Sequence, residues 1–574
     1  MSKPKRNTVP EVDASSDAAL WRRFSGVLGD DAKAANLALP PSDDPTPDEF
    51  RLYPQPIIPP DPRRTDALTQ NRWRFGMERL ADVPTGIPWD VPAPSRHFAD
   101  RLHRFDWLSA LFAGGPDGAD QARQLVDRWV TDFGSFHGFY WRLVPTAARV
   151  WNWMLSGREL FDDGTGETAA ARRSTLWRQV DYLSANLAAC PDPPTRWKAA
   201  CCLVAAALVR SGADNLEECV ALLDYECTDQ ILPDGGLVSR SPEKTLYALA
   251  DLLVLKNLFY RAGKDAPDFL LKWISRMGAM VQFFRLGDGG LAPFNDGGQS
   301  RDTVVSSVLE ALGEAPRHFS FAMRSGFQKL HKGDLTLILD SGGAPPRPYA
   351  GFAHAGALGF ELSDGAARFV TSCAFSPGVN LDWQSAVRGT AAHSTLILAG
   401  RDSARLEPFE TTRLLVPVGP DGIAAKRLEE ADEIWLDAQH SGWKERFGLI
   451  HRRRLFLSGD GRRLTGEDSL VRPVSRELDE EGKFVGFDIR FHLHPTVEAV
   501  LEQDTIRLVS EAGPIWRFRT NHPDLRLEIS RYLGRGVVEK CLQIVMSGRA
   551  DPNGDGTEPT NCIRWAFRRE GGPG

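Results

Sequence analysis

A chain of 574 residues is too long for one hydrophobic core, so two or more domains are expected. Its 42% apolar and 25% charged residues make a globular composition. A formal net charge of −7 gives no global attraction for nucleic acid or an acidic polymer, so any anion site must be a local cluster.

The opening MSKPKRNTVPEVDASSDAAL has basic residues but no apolar stretch of the kind an export signal needs, and no apolar run reaches the ~18 residues of a membrane span. The cytoplasm is therefore the expected compartment, with the periplasm as alternative. The eight cysteines include the adjacent Cys201 and Cys202 and show no C-x-x-C spacing, so reduced thiols are expected. Residues 1–65 are rich in Pro, Asp and Ser and read as a loose arm. From Phe98 the apolar period becomes helical, with Leu102, Phe105, Leu108 and Leu111 three apart. Similar stretches with short polar joints continue to about residue 325 and predict antiparallel helical hairpins. Trp141, Trp151 and Trp153 fall in one of them, as helix core or as sugar-stacking rings. Beyond 325 the period is two, as in LTLILD and STLIL, and Asp-Gly turns recur, which predicts an antiparallel sandwich. The expected domains are an arm over 1–65, a helical domain over 66–325 and a sandwich over 326–574.

Three clusters stand out as chemistry. The first runs from Asp234-Gly235-Gly236 through Arg240-Ser241-Pro242-Glu243-Lys244 to Tyr247. Ser241 and Pro242 are N-cap and first-turn residues, so a helix starts here with Arg240 just before it and Tyr247 on the face of Lys244. The second is Asn295-Asp296-Gly297, which is ideal turn chemistry and marks the rim of a cleft. The third is His354, Cys373 and His393, two strand-leading histidines and a thiol.

The stretch from Tyr349 to Ser403 ends in Arg388-Gly389-Thr390-Ala391-Ala392-His393-Ser394-Thr395. It resembles the C-terminal domain of the heparinase II/III family of polysaccharide lyases, whose pattern there is H-x-H-x-D followed by R-x-T-A-A-H-N-T. The opening departs from that pattern. Phe352 stands for the first histidine, His354 matches the second, and Gly356 replaces the aspartate. The family's Asp-Gly, Ser-Pro and nearby tyrosine map onto the first cluster, but the tyrosine falls on Lys244.

The resemblance implies an α+β multidomain chain, with an incomplete N-terminal α/α toroid followed by a large antiparallel β-sandwich. It also implies β-elimination on an acidic, uronate-containing polysaccharide or oligosaccharide, with no cofactor required. In that chemistry a group neutralises the carboxylate, a base takes the adjacent proton and an acid protonates the leaving oxygen. Arg240 is the candidate clamp, Tyr247 the acid, and His393 or His354 the base. Asn295, Arg388 and Trp151 are candidate substrate contacts. In some relatives histidines and an aspartate hold zinc, which makes His354, Cys373 and His393 candidate ligands of a structural ion. Two rivals stand beside the lyase. One is a glycan-binding protein that kept the fold and lost the chemistry. The other is a glycoside hydrolase, for which Asp234, Glu243 and Asp296 are the available carboxylates. Nucleic-acid binding and membrane insertion are not expected, and oligomeric state stays open.

Overall fold

The structure is a computed structural model that describes residues 49–571, apart from 137, 163–165, 377–380, 410–414, 474–482 and 558. Most of the expected loose arm, residues 1–48, lies outside the described residues. The rest of it is tied down. Phe50 bridges Arg210, and its ring packs on Tyr53, Phe161 and Trp177 at 4.8–4.9 Å.

The chain forms two compact units that meet in sequence at Leu216 and Glu217, with Gln55–Pro59 joining the second. The first unit is helical. Its longer helices are α1 (Gly115–Phe133), α2 (Leu143–Phe161), α3 (Gly166–Asn186) and α4 (Pro193–Val209). Asp192 caps α4, accepting from the Thr195 N–H at 3.0 Å, and Pro193 supplies a helix-ready first residue. Helix α4 is buried almost all round, as its run of Ala, Cys, Leu and Val dictates. Trp129 and Trp153 meet edge-on at 5.5 Å, and Phe105 packs on both.

The second unit holds α5 (Leu216–Gln230), α6 (Pro242–Arg261), α7 (Asp268–Phe284) and α8 (Asp302–Glu310), followed by two antiparallel sheets. The expected boundary near 325 marks a change of secondary structure and not of compact unit. The physical reason is side-chain bonding between the two kinds of element. Lys329, on a strand, donates to the carbonyls of Phe283 at 2.9 Å and Arg285 at 3.1 Å, satisfying the open end of α7.

The strands are β1 (Phe321–Ala322), β2 (Phe327–Lys332), β3 (Leu335–Asp340), β4 (Phe360–Asp364), β5 (Ala367–Thr371), β6 (Leu396–Leu398), β7 (Ala424–Glu430), β8 (Glu433–His440), β9 (Ile450–Leu457), β10 (Arg463–Val471), β11 (Val485–Leu493), β12 (Val497–Glu502), β13 (Thr505–Ser510), β14 (Trp516–Thr520), β15 (Leu525–Tyr532), β16 (Glu539–Ala550) and β17 (Cys562–Arg569). One sheet has the order β15-β16-β11-β5-β4-β3-β2-β1, with β6 also beside β11; the other has the order β7-β8-β9-β10-β17-β14-β13-β12. Between them Leu337, Phe360, Phe491, Trp565 and Phe567 belong to one buried apolar cluster.

Alternation along β9 sends Arg452 and Arg454 outward and Arg453 inward. Inside, Arg453 makes a two-point contact with Asp468, at 2.7 and 3.0 Å. His451 lies 2.7 Å from the same carboxylate, and the Trp565 indole N–H donates to it at 2.8 Å. Removing the cation would strand a buried carboxylate, so Arg453→Ala should destabilise the chain by roughly 3–5 kcal/mol. Arg452→Ala, whose partner Asp437 is partly exposed, should cost ~0–1 kcal/mol. Urea unfolding of the two variants checks the contrast.

Candidate functional site

The site lies in the second unit, where the turn before α6, the Asn295-Asp296 turn and the segment leading into β4 converge. Asp234 fixes the first of these by accepting from the backbone N–H of Arg324 at 2.9 Å and of Ser325 at 2.8 Å. Gly235 has φ 93°, and a Cβ there would lie 2.2 Å from the Arg276 carbonyl oxygen, so only glycine fits. Ser241 caps α6 as its sequence predicts.

Arg240, just before the cap, has left-handed backbone (φ 57°). Its guanidinium donates to the carbonyls of Ser325 at 2.8 Å and Gly343 at 2.7 Å, and it pairs with Asp340. The Phe327 ring lies 4.7 Å from Cζ. These bonds correct the expectation of a carboxylate clamp, because the donors needed for a uronate are spent inside the protein.

Asn295 and Asp296 are both left-handed, with φ 49° and 61°, a conformation their short polar side chains tolerate. They do more than turn the chain. Asn295 donates to the Arg240 carbonyl at 2.9 Å and accepts the backbone N–H of His354 at 3.0 Å. Asp296 takes His354 Nε2 on one oxygen at 2.7 Å and Arg388 Nη2 on the other at 2.8 Å. All four side chains are buried. Asn295 and Arg388 were expected on substrate; they are instead internal struts. Asp296 was expected as a hydrolytic carboxylate or a turn, and it is the centre of the network. Asn-Asp before Gly was its only signal in the sequence.

His354 and His393 do come together, with ring centroids 5.3 Å apart. A Cβ at Gly356 would lie 2.9 Å from His393 Nδ1. The imidazole thus fills the space of the aspartate that the resemblance places there. His393 Nε2 is buried without a hydrogen-bond partner. Burial pushes the His354 imidazole below its ordinary 6.5, against the pull of Asp296. Burial, with His354 and His492 nearby, pushes His393 well below it. Both rings are therefore neutral at pH 7.

Cys373 does not join them. Its Sγ lies 3.7 Å from His492 Nδ1 and 4.0 Å from Ser530 Oγ, and burial pushes the thiol up to about 12. Among the described residues no three His, Cys, Asp or Glu side chains are grouped to hold a metal ion, which corrects the expected ligand set. Tyr247 is 44% exposed on α6. Trp151 is buried in the first unit, with Lys198 Nζ 5.0 Å from its ring, and is helix core. Lys244 and Phe352, two of the three replaced positions, are in contact, with Nζ 4.7 Å from the ring centroid.

Residues 314–566 match the family described as heparinase II/III-like, C-terminal. FtsZ-localized protein C of Caulobacter vibrioides is 31% identical over 538 residues, 92% of each chain. The chain belongs to the heparinase II/III-like family. Crystal structures of heparinase III and of heparan sulfate lyase HepC from Pedobacter heparinus share its fold. The first superposes with a TM-score of 0.67 at 14% identity, covering 98% of this chain and 93% of that one. The second gives 0.55 at 16%, covering 96% and 88%. The helical region and large antiparallel sandwich implied by the resemblance are thus both present.

Within this family member, the buried histidines link stability to pH. A ring kept neutral by the fold contributes fully above 6.5, where the unfolded chain is also neutral. That contribution is lost as pH falls below 6.5 and only the unfolded chain takes up protons. His492, held at about 4 chiefly by burial, should account for up to roughly 3 kcal/mol of the decline between 6.5 and 4. Denaturation at a series of pH values should show a shallower decline for His492→Gln.

Proposed function

We propose that this chain is a glycan-binding member of the family that works at a bacterial division site marked by FtsZ, in the cytoplasm, and does not cleave its ligand. The contact between Lys244 and Phe352 carries the reading. At the positions where the resemblance puts a proton-transferring tyrosine and a histidine, this chain has an amine held against a hydrocarbon ring. A phenyl ring has no proton to exchange, while an ammonium group can still pair with a sugar carboxylate. The buried uses of Arg240 and Arg388 support the same reading. The division-site part rests on the 31% identity to FtsZ-localized protein C over nearly the whole chain.

Incubation with heparan sulfate, polygalacturonate or alginate should leave no ultraviolet-absorbing unsaturated ends, while acidic oligosaccharides still bind and Lys244→Glu weakens them. A fluorescent fusion should concentrate at the FtsZ ring. Unsaturated product would reject the loss of chemistry, and a diffuse fusion would reject the division-site role.

One observation favours β-elimination as a second reading. The neutral, unpartnered Nε2 of His393 could accept a proton, with Tyr247 protonating the leaving oxygen. On that reading product forms, and His393→Ala cuts its rate on the order of a hundredfold or more.

A further inference from the structure

The solvent face of the second sheet carries two parallel rows of side chains that neither the fold nor the buried site uses. Cross-strand register aligns Leu428, Trp435, Phe456, Thr465, Ala566 and Arg519 in one row across six strands. Leu428 is 56% and Trp435 48% exposed, and the Trp435 and Phe456 rings pack at 4.3 Å. The short Thr465 and Ala566 side chains leave a groove of about 740 Å³ between this aromatic end and Arg519.

The neighbouring row is basic. Arg463 faces Arg568, Arg568 faces Arg517, and Arg517 faces Arg507. Like charges directly opposite one another weaken a sheet, so such a row needs anions. Arg517 has them in Glu502 at 2.8 Å and Glu570 at 2.7 Å, and Arg507 lies 3.6 Å from Glu570. Arg463, Arg568 and Arg519 are exposed, and none makes an ion pair with a described residue. Arg463 Cζ sits 5.1 Å from the Phe456 ring, which joins the basic row to the aromatic one. On a chain of net charge −7, this is a local reversal of sign.

We propose that this face binds an acidic polysaccharide, with Trp435, backed by the buried Phe456, under a sugar ring and Arg463, Arg568 and Arg519 on its carboxylates. Guanidinium forks match carboxylates at two points, and the exposed Trp435 indole matches the C–H face of a pyranose. A sugar chain fits better than an acidic peptide. Between Phe456 and Arg519 the groove crosses β10 and β17, central strands whose N–H and C=O groups are paired on both sides, so a peptide there would find no backbone partners. The assignment rests on this face alone and not on the Lys244 site.

The test is calorimetric titration of the full chain with oligogalacturonate, with maltohexaose and oligoglutamate as comparison ligands. Oligogalacturonate should bind with an affinity that falls as salt rises. Arg463→Glu/Arg568→Glu and, separately, Trp435→Ala should each weaken this binding by about tenfold or more, and should do so in the Lys244→Glu background as well. Maltohexaose and oligoglutamate should bind more weakly by a similar factor. If both sets of variants bind as the parent does and only Lys244→Glu loses affinity, this face is overturned and the other site stands. If oligoglutamate binds as tightly and Trp435→Ala leaves it unchanged, the face is a docking surface for an acidic peptide and the glycan assignment is overturned.

Discussion

One buried carboxylate organises the centre of the second unit. Asp296 accepts from His354 on one oxygen and from Arg388 on the other, and it reaches both only because Asn295 and Asp296 are left-handed in succession. A charge held out of water survives when its lone pairs are met by well-placed donors. The residues meeting it are therefore fixed by it. Asn295 extends the constraint to the Arg240 carbonyl, and the Arg240 side chain extends it again to Ser325, Gly343 and Asp340 on the sheet side. This chain of bonds, with that of Lys329, ties the helices after Leu216 to the first strands.

The replaced family positions fall into two local contacts, one of them beside this carboxylate. With His354 committed to Asp296, the His393 ring lies over Gly356 and fills the space an aspartate there would need. Lys244 and Phe352 form the other linked pair. Restoring a tyrosine at one place or a histidine at the other would leave an unsuited partner opposite. The departures from the family pattern thus read as two coherent contacts.

Much of the architecture was legible in order. The helical period ahead of 325, the two-residue period after it, and the Ser241-Pro242 helix start all appear where expected. The pairing of His354 with His393 followed from the family pattern. The unit boundary was not legible, because a change of period reports local backbone geometry and says nothing of which elements bond across it. The roles of Arg240, Asn295 and Arg388 were misread for a related cause. Next to a helix cap or a turn, an arginine or asparagine looks available to a ligand, while its true partners lie far along the chain.

The sequence by itself determined the fold class, the family and which family positions are replaced, since these depend on patterning and residue identity along the chain. Tertiary structure alone decided what those residues do. Arg240 reaches Ser325, 85 residues away, and Arg388 reaches Asp296, 92 residues away. Cys373 turns to His492 instead of His354. A hydrogen bond acts over about 3 Å, so a polar side chain's role is set by whichever group the fold brings within that distance.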